Sequence, residues 1–95
     1  MINSKQRAYL RSLSNGLDAI FQIGKGGITD EVCNQLANAL EARELIKVKV
    51  LENSGYTSRE ASSVIAEAIG CDVVSCVGNK FVLYKESVKK KRIEL

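Results

Sequence analysis

The stretch Gly24-Lys25-Gly26-Gly27 has the clearest chemistry in this 95-residue chain. Glycine at 24, 26 and 27 leaves backbone N–H groups unobstructed, because no Cβ stands in front of them. The apolar run Ile20-Phe21-Gln22-Ile23 leads into this loop, and Thr29-Asp30-Glu31 behind it reads as a helix start. A corner between strand and helix offers an anion the unpaired N–H groups of the first helical turn and the positive end of the helix dipole. Lys25 adds a full charge there. Covalent chemistry has much less to work with. Histidine is absent, which removes the commonest general base and the commonest metal ligand.

The order of residues narrows the anion. A nucleotide-binding P-loop ends in Gly-Lys-Ser/Thr, whereas Lys25 is followed by Gly26. A dinucleotide fingerprint needs a third small residue at position 29, where the chain has Thr29. What survives is a Gly-x-x-Gly frame, the kind of loop that clamps a single-stranded RNA backbone in KH domains. A plain glycine-rich turn with an exposed lysine accounts for the loop equally well. Cys33, Cys71 and Cys76 are odd in number and lack Cys-x-x-Cys spacing, so they read as reduced thiols serving as small core residues. No metal site and no cofactor is expected.

Length allows one domain, and with 45% hydrophobic residues and no tryptophan its core must come from Ile, Leu, Val and Ala. No run approaches a membrane span, and Lys5, Arg7 and Arg11 are not followed by an apolar stretch, so a soluble, unexported, cytoplasmic protein is expected. Charge is divided along the chain. Residues 1–28 hold four basic and one acidic side chain, residues 29–78 four and eight, residues 79–95 six and two: +3, −4 and +4. Basic ends that assemble around the glycine loop would suit a polyanion.

The elements that must position these residues follow from local signals. Asn3 with Gln6 forms a capping box for a first helix, whose stripe Gln6, Tyr9, Leu10, Leu13, Leu17 is expected inside and whose Ser4, Arg7 and Arg11 are expected outside. Ser14-Asn15-Gly16 ends it, and residues 19–23 form a strand. Thr29 caps a second helix that buries Val32, Leu36, Ala39 and Leu40 and finishes near Arg43-Glu44. Ile46-Lys47-Val48-Lys49-Val50-Leu51 alternates as a half-buried strand, with Lys47 and Lys49 on one face. Thr57-Ser58-Arg59-Glu60 is a second capping box, opening a helix with Ala61, Val64, Ile65, Ala68 and Ile69 as its inner stripe and Gly70 as its stop. Residues 71–77 and 80–85 are strands joined by Gly78-Asn79. The order α-β-α-β-α-β-β, with two β-α-β units and a closing hairpin, predicts a single α/β domain with a four-stranded mixed sheet, mostly parallel, packed with helices. Residues 1–86 make this domain. Residues 87–95 have too little apolar content to pack and read as a basic, flexible tail whose Lys89-Lys90-Lys91-Arg92 is available to phosphate.

Four blocks carry a resemblance: Ser4-Lys5-Gln6-Arg7-Ala8-Tyr9-Leu10-Arg11, Ile23-Gly24-Lys25-Gly26-Gly27-Ile28, Leu40-Glu41-Ala42-Arg43-Glu44-Leu45-Ile46-Lys47, and Gly78-Asn79-Lys80 with Leu83-Tyr84. Together, over residues 2–85, they resemble the CRM domain in its stand-alone bacterial form, the YhbY family. The resemblance implies a fold similar to the C-terminal domain of translation initiation factor three. It also implies a non-catalytic RNA-binding protein associated with precursors of the large ribosomal subunit. The residues expected to meet ribosomal RNA are Gly24, Lys25, Gly26 and Gly27, with Lys5, Arg7 and Arg11 from the first helix and Lys47, Lys49 and Lys80 from the sheet. Four to six phosphate contacts would give a slope of about −3 to −4 for log affinity against log salt. Recognition of RNA shape is expected over sequence, because Tyr9, Phe21, Tyr56, Phe81 and Tyr84 are few and partly core by pattern. Two other readings stay open: a small nucleotide-binding enzyme using the glycine loop, with only Asp30 and Glu31 near it, and a protein-binding adaptor on the ribosome or its assembly factors. Neither a membrane nor a small-molecule substrate is expected.

Overall fold

Each of the three helices starts on the cap that the sequence places there, in a computed structural model that describes residues 2–95. Asn3 opens α1 (Ser4–Ser14): Gln6 N–H donates to Asn3 Oδ1 at 2.8 Å and Asn3 N–H to Gln6 Oε1 at 3.0 Å. Thr29 Oγ1 accepts from Val32 N–H ahead of α2 (Asp30–Arg43), and Thr57 with Glu60 closes a reciprocal box ahead of α3 (Ser58–Ile69). Gly70 ends α3 in the left-handed region, at φ +69°. The strands are β1 (Ala19–Ile23), β2 (Leu45–Val50), β3 (Asp72–Val77) and β4 (Lys80–Tyr84). A short 3₁₀ turn, Glu52–Ser54, sits between β2 and α3.

The sheet order is β1-β2-β4-β3. β1 and β2 are parallel, and β4 runs antiparallel to both of its neighbours. Three of the four strands therefore point the same way. Because β4 inserts between β2 and β3, only the β1–β2 pairing is parallel, so the sheet is mixed as expected.

Side-chain alternation gives the sheet two faces. Ile46, Val48 and Val50 of β2 join Ile23, Phe81 and Leu83 under Leu36 and Leu40 of α2 and Ala61 and Ile65 of α3. The opposite face packs Leu45, Val82 and Tyr84 against Leu10 of α1, with Val74, the extra residue of a bulge in β3, turned into the same cluster.

Two helices meet the sheet at a different angle from the one their apolar spacing suggests. α1 buries Leu10 and Ser14 only, leaving Tyr9 47%, Leu13 39% and Leu17 37% exposed. In α3 the inner positions are Ser58, Ala61, Ser62 and Ile65, while Val64 is 43% exposed and Ala68 is also outside. The serines fit because their hydroxyls find acceptors: Ser58 Oγ donates to the Gly78 carbonyl at 2.9 Å, Ser62 Oγ to the Arg59 carbonyl at 3.0 Å. A satisfied hydroxyl close to a backbone loses little on burial.

The segment after Glu86, which composition marks as free chain, carries a set of hydrogen bonds to α2. Glu41 accepts from the Ser87 hydroxyl and from the N–H groups of Val88 at 3.0 Å and Lys89 at 3.2 Å. Glu44 accepts from the N–H groups of Ser87 at 2.8 Å, Ile93 at 2.6 Å and Arg92. Apolar content does not foresee these contacts, because apart from the Ser87 hydroxyl the donors are backbone N–H groups that every residue here possesses.

Candidate functional site

Three loops meet at one end of the sheet, where β1, β2 and β3 finish. Leu51 N–H donates to the Ile23 carbonyl at 2.9 Å, which sets the end of β2 beside the glycine corner. Val50 N–H donates to the Asn79 carbonyl at 2.7 Å, and Ser58 reaches Gly78, so the β3–β4 hairpin and the start of α3 join the same rim. The C-terminal ends of parallel strands are where open α/β sheets generally hold ligands.

Within the corner the glycines have different reasons to be glycine. Gly27 closes a turn by donating to the Gly24 carbonyl at 2.9 Å, and its φ of +72° suits a residue without a Cβ. A Cβ on Gly24 would meet Leu51 Cδ1 at an ordinary 3.5 Å, and one on Gly26 would meet nothing within 4 Å. The fold has no need of glycine at 26; bareness there matters only to something arriving from outside. Lys25 and Gly26 form the exposed tip of the turn. The helix end behind contributes less than its dipole suggests. Thr29 already caps Val32 N–H, and Asp30 and Glu31 set negative charge against the first turn.

The α1-side face of the sheet supplies the rest of the positive charge. Gln22 pairs with Lys49, Lys49 with Lys80, and Lys80 with Val77, forming one row across four strands. Lys47 lies on the same face, two residues back. α1 covers the far half of this face only, so the row stays open, with Val77 73% exposed. Arg11, in the last turn of α1, completes the group: with Lys47, Lys80, Ser75 and Ser14 it lines a cleft of about 230 Å³. Lys49 and Lys80 are like charges placed directly opposite each other, an arrangement that costs about 0.2–1 kcal/mol unless an anion offsets it. The single ion pair among the described residues, Lys91 with Glu86, is elsewhere.

Two of the ten expected residues stand apart. Arg7 turns to the edge of β3, where its Nε donates to the Val73 carbonyl at 3.4 Å. Lys5 is at the start of α1, lining a hollow with Tyr9, Glu94 and Leu95. Arg59, which the sequence reading does not single out, lies on the rim. It lines a cleft of about 640 Å³ with Tyr56, Asn79 and Gly78. Its signal in the sequence is a cation in the first turn of a helix, where the dipole disfavours one. Of the five aromatics, Phe81 and Tyr84 are buried, Phe21 and Tyr56 are half-buried against the core, Tyr56 also lining the rim cleft, and Tyr9 is exposed.

The described residues contain no cluster of His, Cys, Asp and Glu able to hold a metal ion. The Cys71 thiol is pushed up to about 11, by burial first and then by neighbouring Asp72, and so stays protonated at neutral pH. Among the described residues no helix is long and apolar enough to cross a membrane.

Residues 2–85 match the CRS1 / YhbY (CRM) domain family. The chain is 45% identical to the probable RNA-binding protein YqeI of Bacillus subtilis, over 100% of this chain and 99% of that protein. It is 31% identical to an RNA-binding protein of Haemophilus influenzae, over 95% and 91% of the two chains. A hypothetical protein of Staphylococcus aureus, solved in solution and described as a candidate RNA-binding protein, superposes with a TM-score of 0.75 at 42% identity, covering 100% of this chain and 99% of that one.

Proposed function

This chain belongs to the CRS1/YhbY (CRM) domain family, and from that premise we propose that it is a non-catalytic RNA-binding protein acting on ribosomal RNA in precursors of the large ribosomal subunit. Relatives across the full chain length are named as RNA-binding proteins, which supports the RNA part. The ribosomal part rests on the family resemblance. The observation that carries the reading is the row Gln22–Lys49–Lys80 with Lys47 and Arg11 beside it: cations gathered on an open face, opposite one another, with no carboxylate in the row.

In this mechanism, phosphates of one RNA strand lie along the lysine row while the bare tip at Lys25 and Gly26 receives a further phosphate through backbone N–H groups and the Lys25 ammonium. Affinity then falls steeply with salt, as released counterions require. A labelled large-subunit RNA fragment, titrated by fluorescence anisotropy through a salt series, tests the site. Lys25→Asp and Gly26→Asp each put a carboxylate where phosphate should sit. A loss of at least tenfold, about 1.4 kcal/mol, with native melting places RNA at the corner. Equal binding by wild type and both variants removes the corner from the site. Co-sedimentation of the protein with large-subunit precursors, rather than mature particles, tests the ribosomal part.

A further inference from the structure

Glu44 is the least expected residue in the fold. It ends α2 with a φ of +66°, a backbone conformation that favours glycine, and its side chain is wholly buried. Burial raises the carboxyl pKa, but the N–H groups of Ser87, Arg92 and Ile93 more than offset that, and the group is held below the usual carboxylate range. Its carbonyl also accepts from Lys85 N–H at 3.0 Å. One turn earlier, Glu41 takes the Ser87 hydroxyl and the N–H groups of Val88 and Lys89. Ile93 then joins the cluster beneath α1. Residues 87–93 thus form a strap whose inner side is backbone N–H clasping two carboxylates.

The outer side of that strap carries Lys89, Lys90, Lys91 and Arg92, all exposed. Lys91 pairs with Glu86, and among the described residues no carboxylate comes within ion-pair distance of Lys89, Lys90 or Arg92, although the Lys89 charge helps to lower the Glu41 carboxyl pKa. Arg92 shares a surface hollow with Arg43 of α2. Cations on a free tail must be ordered when they bind, whereas here the carboxylates underneath have already ordered the backbone.

We propose that this strap is a second phosphate-binding surface, at the opposite end of the sheet from the glycine corner, and that one molecule joins two RNA backbones. The inference rests on the RNA-binding reading above. β2 separates the two ends: Leu45 follows the Glu44 anchor and Val50 lies beside the corner, a span of about 17 Å from the rise per residue of an extended strand.

The strap is held by its backbone, so its cationic side chains can be exchanged without releasing it. Two short RNA hairpins, one carrying a donor dye and one an acceptor, are mixed with the full chain. Energy transfer between them is expected with wild type. Lys89→Ser/Lys90→Ser/Arg92→Ser should reduce transfer at least about tenfold while single-hairpin affinity changes less than about threefold. Glu41→Gln/Glu44→Gln retains every cation but loosens the anchors, and should also lower transfer, with fewer protected amides in residues 87–93. Undiminished transfer in the triple variant overturns the proposal. One-to-one binding without transfer in wild type overturns it while leaving the RNA-binding reading intact, and absence of any hairpin binding overturns both.

Discussion

The two faces of the sheet are built on opposite rules. On the α2/α3 side the inward residues of β2 and of its neighbour β4 are apolar and closed in; Ile46, Val48, Phe81 and Leu83 are at most 1% exposed. On the α1 side the packed half gives way within two residues to lysines set side by side, Lys47 and Lys49 half-buried and Lys80 exposed. Fully burying one large aliphatic side chain contributes roughly 1.5–3 kcal/mol, more than the repulsion of a cross-strand lysine pair. The closed face supplies the stability that lets the open one be electrostatically unfavourable until an anion arrives. Stability and binding should therefore separate by face.

The sharpest way to break that separation is Phe81→Ala. It should lower unfolding free energy by about 3–5 kcal/mol in urea titrations, yet leave the RNA affinity of the folded fraction unchanged. A comparable loss of affinity would join the two faces. Glu44→Gln comes next, because the strap closes the packed half of the α1 side. Losing charge-assisted hydrogen bonds should cost about 1.5–3 kcal/mol. The pH dependence has a definite sign. Glu44, burial notwithstanding, and Glu41, through its Ser87 and backbone donors, both titrate below their ordinary value when folded. The unfolded chain therefore binds more protons, and their contribution is complete above about pH 4.3 and drains away as pH falls through the lowered folded values. Acid unfolding of the Glu44→Gln variant should show a shallower slope over that range; an unchanged slope would remove Glu44 from the linkage.

Lys49→Glu with Lys80→Glu should weaken RNA binding by at least tenfold, about 1.4 kcal/mol, without lowering the melting temperature. The smallest effect is the most diagnostic. Lys80→Glu alone turns a like-charge pairing across Lys49 into an opposite one, so it should stabilise the fold by about 0.2–1 kcal/mol while weakening RNA binding. A single change moving the two quantities in opposite directions is hard to explain if the lysines serve the fold.

What could be read in advance depended on where the information lies. Caps are written in side chains three residues apart, so Asn3–Gln6 and Thr57–Glu60 were legible, as was the alternation that sends Lys47 and Lys49 to one face. Burial of α1 was not, because Tyr9, Leu13 and Leu17 share helical spacing with Leu10 whether or not a neighbour covers them. In α3, Ser58 takes an inner place through a distant acceptor, the Gly78 carbonyl, and Ser62 by turning its hydroxyl back onto the Arg59 carbonyl of its own helix, neither of which apolar spacing can show. The strap was hidden too, because all its donors but the Ser87 hydroxyl are backbone N–H groups. A clue did exist: Glu44 occupies a helix end where glycine or a cation is favoured, and such a misfit asks for a partner. Grouping of the site was half legible. The lysines of β2 were on one face by alternation, but Lys80 joined them only through the sheet order, and Lys5 and Arg7 left them only through the way α1 lies on the sheet.

That sheet order also sets a timetable. β4, the last strand along the chain, is an interior strand, hydrogen-bonded to β2 on one side and β3 on the other. Until residue 84 is available the β1–β2 pair and β3 have no common neighbour, and neither hydrophobic cluster has its central wall. Cooperative folding must therefore wait for Tyr84, and its rate will be governed by distant contacts such as Leu10 with Tyr84 and not by the quickly formed helices. Fragments that stop before β4 should remain unfolded, with the paired edge of β2 bare and open to wrong partners.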